Sequence, residues 1–269
     1  MITEPDVFSL IYKLSQIDVY KKEIEDIKDL LLPFSNLVEV TIYQQPANHL
    51  LVSRGKIVKT KPLIDKEISY CPPEFCNKFG RLNMPQLPIF YGSIGVQTYE
   101  PILSEIDARV GDFVAIGTWT HRASIKLTTI GYRNAVFSEL SSSRKALPYD
   151  KIANINPGKI KLIELIKDEM GKIFSKRISE SESEKYKLGI GIIETWFNFK
   201  VLDIDALLYP SVVNNADYDN IGIRKEYVDE YLMLLSVNYV EVTGISPYKY
   251  KLLNRTSSIS SNGNILWDN

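Results

Sequence analysis

Tyr186-Lys-Leu-Gly-Ile-Gly-Ile-Ile-Glu-Thr-Trp-Phe-Asn198, followed after a short polar link by Ala206-Leu207-Leu208-Tyr209-Pro210-Ser211, decides the fold class. Leu188, Ile192, Ile193, Trp196 and Phe197 fall on one side of a helix predicted over 183–198. The apolar run from Ala206 to Tyr209 suits a short buried strand, which Pro210 stops because it has no N–H to donate. Gly189, Gly191 and Glu194 superficially match a dinucleotide-binding fingerprint. That motif needs a third glycine and a strand-to-helix turn, whereas these residues lie inside a helical pattern. They are read instead as small residues that let a helix approach its neighbour closely.

Toward the C-terminus, Tyr227, Tyr231, Leu234 and Leu235 predict another amphipathic helix, and residues 238–242 alternate as a strand. The Ser-rich tail, 257–269, is read as partly mobile. Toward the N-terminus, Ile17, Tyr20, Ile24, Ile27 and Leu31 recur at steps of three and four, predicting a helix that Pro33 ends. Alternating β-branched residues predict a strand over 37–43, and 50–54 forms a shorter one. Residues 61–83, with Pro62, Pro72 and Pro73, read as loop. A brief strand at 88–92, a helix over 98–105 and a strand at 112–117 follow, and the charged run 175–187 reads as a solvated loop. Helices and strands mix without regular alternation, so an α+β fold is expected: a mixed sheet core with flanking helices. No internal repeat or long linker divides the chain. An N-terminal helical extension, 1–48, is expected to precede one domain, 49–269.

A chain of 269 residues can bury enough apolar surface to fold without a metal or disulfide staple. Its 32 basic and 33 acidic side chains nearly cancel. Nucleic acid and anionic membranes are therefore not expected as partners, and an anionic ligand must be gripped by a few placed residues. No apolar run is long enough to span a bilayer, and Met1-Ile2-Thr3-Glu4-Pro5-Asp6 lacks the features of a secretory signal. A cytoplasmic location is expected, with Cys71 and Cys76 as reduced packing residues. His49 and His121 are the only histidines, so neither a zinc ligand set nor a Ser-His-acid triad is expected. Asn156-Pro157-Gly158-Lys159 lacks the spacing of a Walker loop.

What remains is Phe79-Gly80-Arg81-Leu82-Asn83-Met84-Pro85, followed by Pro88-Ile89-Phe90-Tyr91-Gly92-Ser93. Gly80 and Pro85 around Arg81 suggest a backbone bent to present one guanidinium. Tyr91 stands where an apolar strand ends and a ring can line a cleft, and Glu105 closes the short helical stretch that begins at Glu100. Each has a plain structural reading when taken singly: a surface ion pair, a core ring and a solvated helix position.

In order and spacing, Gly80-Arg81-x-Asn83, Phe90-Tyr91-Gly92, Thr98 and Glu105, then Tyr209-Pro210-Ser211 and Asn220-Ile221-Gly222-Ile223, resemble the RES domain family. Ser53-Arg54-Gly55 is similar to that family's early arginine segment, so the resemblance runs over 50–242. The gap between Tyr91 and the acidic residue is longer than in compact members, which leaves Glu100 as a competitor for the role. Glu105 is preferred because Ser104-Glu105-Ile106 leads into Gly111-Asp112-Phe113-Val114, as in longer members.

The resemblance implies a fold like that of ADP-ribosyltransferase toxins, with NAD as substrate and no separate cofactor or metal. It implies cleavage of the nicotinamide–ribose bond, with ADP-ribose passed to phosphate, water or a protein side chain. It also implies toxin–antitoxin pairing, with an antitoxin protein as partner, as for many members. It makes Arg81 and Glu105 the catalytic pair, and Arg81, Arg54, Tyr91, Ser211 and Asn220 the residues that hold NAD. A guanidinium can grip diphosphate oxygens in a bidentate way, and a tyrosine ring can stack on nicotinamide or adenine. A carboxylate can stabilise a ribose with oxocarbenium character. The alternative is a non-catalytic nucleotide-binding module whose N-terminal helix recruits a partner. A third reading is an interaction protein with no small-molecule site.

Overall fold

The computed structural model describes residues 2–38, 40–132, 157–211 and 218–268. Glu39 of the strand expected at 37–43, Asn156 of the rejected Walker segment and Asn269 of the tail lie outside the described residues. Among the described residues the helices are α1 (Glu4–Ser15), α2 (Ile24–Leu31), α3 (Glu100–Glu105), α4 (Pro157–Phe174), α5 (Lys187–Trp196) and α6 (Lys225–Tyr231). The strands are β1 (Tyr43–Gln45), β2 (Val52–Ile57), β3 (Ile89–Ile94), β4 (Phe113–His121), β5 (Ile125–Thr129), β6 (Ala206–Pro210), β7 (Asp219–Arg224), β8 (Leu232–Ile245), β9 (Tyr248–Ile259) and β10 (Ile265–Trp267). The class is α+β, with strands paired both parallel and antiparallel. Among the described residues no helix is long and apolar enough to cross a membrane.

The chain clusters into two compact units. Unit 1 comprises Met1–Tyr43, Pro72–Pro88 and Lys126–Pro210. Here α1 packs on α4 and α2 on α5, so the N-terminal helices expected as an extension share a core with the helices of the 157–196 region. α1 was not anticipated. It starts where the Asp6 carboxylate accepts the backbone N–H of Thr3 at 2.8 Å and its hydroxyl at 2.6 Å, an acceptor placed at the positive end of a helix. The single helix expected over 17–31 is confined to α2. Asp18 interrupts it: its carboxylate accepts the N–H of Tyr20 at 3.2 Å, and its carbonyl takes the N–H of Lys21 at 3.0 Å. A local turn thus competes with the helix.

The strand expected at 37–43 also fails, except at Tyr43. Leu32–Leu37 forms a 3₁₀ turn that continues from α2. In that turn the Ser35 hydroxyl donates to the Leu32 carbonyl at 2.9 Å and accepts the Trp196 indole N–H at 3.2 Å. Gly191 explains how α2 and α5 come together. A Cβ at that position would stand 2.4 Å from Ile27 Cγ2. In the same unit β5 and β6 pair in parallel, with Leu127 opposite Ala206.

Unit 2 comprises Gln44–Cys71, Ile89–Ile125 and Ser211–Asn269. Its strands run in the order β7-β3-β2-β4-β8-β9-β10, and every neighbouring pair is antiparallel. The helix expected through Leu235 stops at Tyr231, and Leu234 and Leu235 belong to β8. Toward the C-terminus the chain pairs again as a strand at Ile265–Trp267, where the Trp267 indole N–H donates to the Pro62 carbonyl at 3.0 Å. α3 lies over one face of this sheet. Ile102 and Leu103 are buried with Val114, Ile116, Val240 and Val242. Gly55 leaves the space they need, since a Cβ there would fall 2.6 Å from Ile102 Cγ2.

Substitution of Gly191 tests the helix contact in unit 1. Alanine is the better helix former by about 0.8–1 kcal/mol, but its methyl group must displace Ile27. Gly191→Ala is expected to destabilise the protein by up to about 2 kcal/mol in urea denaturation, an overpacking cost of about 1–3 kcal/mol less the helix-propensity gain. A variant about 1 kcal/mol more stable than the parent would show that α2 yields without penalty.

Candidate functional site

Antiparallel pairing of β3 with β7 sets Ser93 opposite Asn220 and Tyr91 opposite Gly222. Side chains two apart in a strand share a face, so Tyr91, Ser93, Asn220 and Gly222 stand on one side. β2 meets β3 with Ser53 opposite Ser93, and β4 with Gly55 opposite Ile116. The face therefore continues through Ser53 and Gly55 to the core that carries α3. Glu105 is the last residue of α3 and reaches the same face.

There the carboxylate meets two donors from distant segments. Asn220 Nδ2 donates to Glu105 Oε1 at 2.8 Å, and the Ser211 hydroxyl donates to the same oxygen. Ser211 is held in turn by its backbone N–H, which donates to the Tyr218 carbonyl at 2.9 Å. Ser93 Oγ donates to Asn220 Oδ1 at 2.8 Å. Ser93, Ser211 and Asn220 are almost wholly buried, whereas Glu105 is only partly so. Within the described residues of unit 2 no Lys or Arg forms an ion pair with Glu105, and Oε2 has no hydrogen-bond partner. The result, among the described residues of unit 2, is a carboxylate aimed by two neutral donors that both bond Oε1. Such a group can attract a developing positive charge or accept a proton.

Glu105, Ser211, Asn220 and, by strand alternation, Tyr91 are thus the expected residues that the structure gathers on one face of unit 2. Glu100, the competitor, is exposed at the opposite end of α3 and makes no side-chain hydrogen bond among the described residues. Arg54 alternates with Ser53 and so leaves the sheet on the other face. Its guanidinium donates to the carbonyls of Ile68, at 3.2 Å, and of Tyr91, and lies 5.1 Å from the centre of the Phe90 ring. On that face Arg54 ties β2 to β3 where their ladder ends after two pairs.

Arg81 belongs to unit 1. It donates through Nη1 to the carbonyl of Phe174 and through Nη2 to that of Lys176, at 3.4 Å. Phe174 ends α4, so Arg81 places positive charge against the free carbonyls of a helix C-terminus, where cations are favoured. The guanidinium also lies 5.7 Å from the ring centre of Tyr186 and 5.8 Å from that of Tyr209, within cation–π range. Ser93 was not anticipated as a site residue. The signal was present, because it stands two positions after Tyr91 in an alternating strand and therefore on the same face.

No protein-family model matches the chain, and neither a curated protein nor a solved structure matches it.

The contacts of Arg81 predict a structural penalty on its removal. Arg81→Ala is expected to cost about 1–3 kcal/mol of stability in chemical denaturation, since hydrogen bonds from a charged group and a helix-end charge are lost together. Unchanged stability would show that the guanidinium contributes nothing to the end of α4.

Proposed function

We propose that this chain is a NAD-cleaving enzyme of the RES type, with a fold like that of ADP-ribosyltransferases. In this reading it breaks the nicotinamide–ribose bond and passes ADP-ribose to phosphate, water or a protein side chain. The observation that carries the proposal is the Glu105 carboxylate, held on Oε1 by Ser211 and Asn220, with no cation of its own unit paired to it among the described residues. Ser211 and Asn220 stand 106 and 115 positions from Glu105 in the chain. The three are the acidic, hydroxyl and amide residues that the family likeness singles out.

The chemistry follows from that carboxylate. When the C1′–N bond of NAD breaks, its electron pair leaves with nicotinamide, which departs neutral and needs no acid to protonate it. The ribose is left with oxocarbenium character, and a fixed negative charge favours this state over the ground state, which is the condition for raising a rate. Phosphate, water or a side-chain nucleophile then forms the new bond at C1′, losing a proton where the nucleophile is neutral. Tyr91, on the same sheet face, offers a ring for stacking against a flat base, worth about 1–3 kcal/mol by comparison with nucleobase stacking. Arg81, in unit 1, is given the diphosphate by the family likeness alone; its guanidinium donates to the carbonyls of Phe174 and Lys176.

The test is incubation of the purified protein with NAD, with and without phosphate, with nicotinamide release followed by chromatography. Wild-type protein is expected to release nicotinamide. Glu105→Gln is expected to keep the fold and bind NAD while kcat falls by about 10²–10³, the usual loss when a charge-stabilising group is removed. A glutamine variant as active as the parent would remove Glu105 from the mechanism. A thermal shift with NAD but no nicotinamide would instead indicate a binding module.

A further inference from the structure

The hydrogen-bond chain behind Glu105 is longer than the proposed chemistry requires, and its far end is Ser93. An asparagine side chain has one accepting and one donating end. Ser93 Oγ occupies the accepting end of Asn220 at 2.8 Å, and the donating end faces Glu105 Oε1, also at 2.8 Å. Exposure is 5% for Ser93 and 4% for Asn220, so bulk water is a poor substitute for either contact. A carboxylate only accepts. Turning the amide over would set Oδ1 against Oε1 and leave Glu105 without that donor. The Ser93 hydroxyl pins the amide from the other end, across a cross-strand pair whose geometry the sheet register sets.

We propose that Ser93 is a positioning residue: its hydroxyl sets the plane of the Asn220 amide and, through it, the direction in which Glu105 presents its carboxylate to the substrate. The inference rests on the NAD-cleaving reading of the same site. Without the hydroxyl, Asn220 Oδ1 is a buried acceptor with no donor. The amide is then held at one end only, about a terminal torsion whose energy well is broad. Ser211 still holds Oε1, so the carboxylate is not released but loses the rigidity of one of its two donors.

The experiment compares Ser93→Ala and Ser93→Thr with the parent by two readouts. One is the side-chain amide signals of Asn220 in protein labelled with ¹⁵N-asparagine. The other is steady-state nicotinamide release. In Ser93→Ala the Asn220 amide signals are expected to move and to exchange faster with solvent. At the same time kcat falls about tenfold, with KM for NAD changed less than about twofold, because the residue acts on the aim of the carboxylate and does not touch substrate. Ser93→Thr, which restores a hydroxyl, is expected to recover both. Ser93→Cys keeps the size with a weaker donor, and gives intermediate amide signals if the alanine variant fails to fold. Unaltered Asn220 signals in Ser93→Ala would overturn the proposal, as would a folded threonine variant that recovers neither readout. If the parent protein releases no nicotinamide, the NAD reading fails by itself, and the amide signals alone decide the role of Ser93.

Discussion

The register between β3 and β7 is the constraint on which the site in unit 2 depends. Phe90, Ile221 and Ile223 are fully buried on one face of these strands, and Phe90 meets Trp119 edge-on with ring centres 5.3 Å apart. A slip of one residue would turn every side chain to the opposite face. It would expose this apolar set and bury Ser93 and Asn220 away from their partners. Hydrophobic burial on one side thus determines where the polar chain forms on the other. Arg54 strengthens the arrangement from the apolar side, because its bond to the Tyr91 carbonyl replaces the ladder bonds that β2 and β3 do not make.

Glu105 reaches that polar chain through packing of a second kind. α3 has only six residues, too few for a helix to hold its shape by backbone bonds alone. Ile102 and Leu103 anchor it to Val114, Ile116, Val240 and Val242, and Gly55 allows it to sit close to the sheet. The carboxylate follows at the helix end, two residues beyond the anchor, so the energy that orients it comes from apolar contacts it does not itself make. The two hydrogen bonds to Oε1 then select its rotamer.

Much of this was legible in the sequence, and each failure has its own physical cause. The close-packing reading holds for Gly191, whereas a Cβ at Gly189 would meet Phe174 at an ordinary 3.5 Å. The strands β2, β3, β4 and β6 and the short helix before Asp107 followed from alternation and composition. Tyr227, Tyr231 and Leu235 misled because steps of four are even numbers. The same residues satisfy a helix face and a strand face, and the chain changes from one to the other at Leu232. The 37–43 segment has strand-like composition, but the indole of Trp196, far away in sequence, binds Ser35 and helps hold the preceding residues in a 3₁₀ turn. β propensity is weak against such contacts. The Thr3–Asp6 start of α1 was a visible capping signal that went unread. Glu105, Ser211 and Asn220, singled out by a likeness in spacing, are joined by hydrogen bonds in the structure. Alternation puts Ser93 on the face of Tyr91, but its bond to Asn220 depends on the register between two strands 127 positions apart, which no local pattern encodes.

The two arginines show why residue type alone is a poor guide to a site. Arg54 and Arg81 were both expected to face NAD, and both have hydrogen bonds to backbone carbonyls. A guanidinium satisfies this task well because its donors are spread in a plane and it carries its hydration loosely. Charge near the end of a helix or at the end of a β-ladder therefore has a structural explanation available before any ligand is considered. A carboxylate has no comparable excuse in the position of Glu105. Among the described residues it caps no helix N-terminus and pairs with no cation of its unit, and both of its donors are neutral groups whose own burial is costly unless they find a partner. Apolar substitution at 105 would leave Ser211 and Asn220 to be satisfied by other means. An acid there gives both buried donors a shared acceptor in Oε1. This asymmetry between the arginines and the acid is the physical reason to look for the chemistry at Glu105 first.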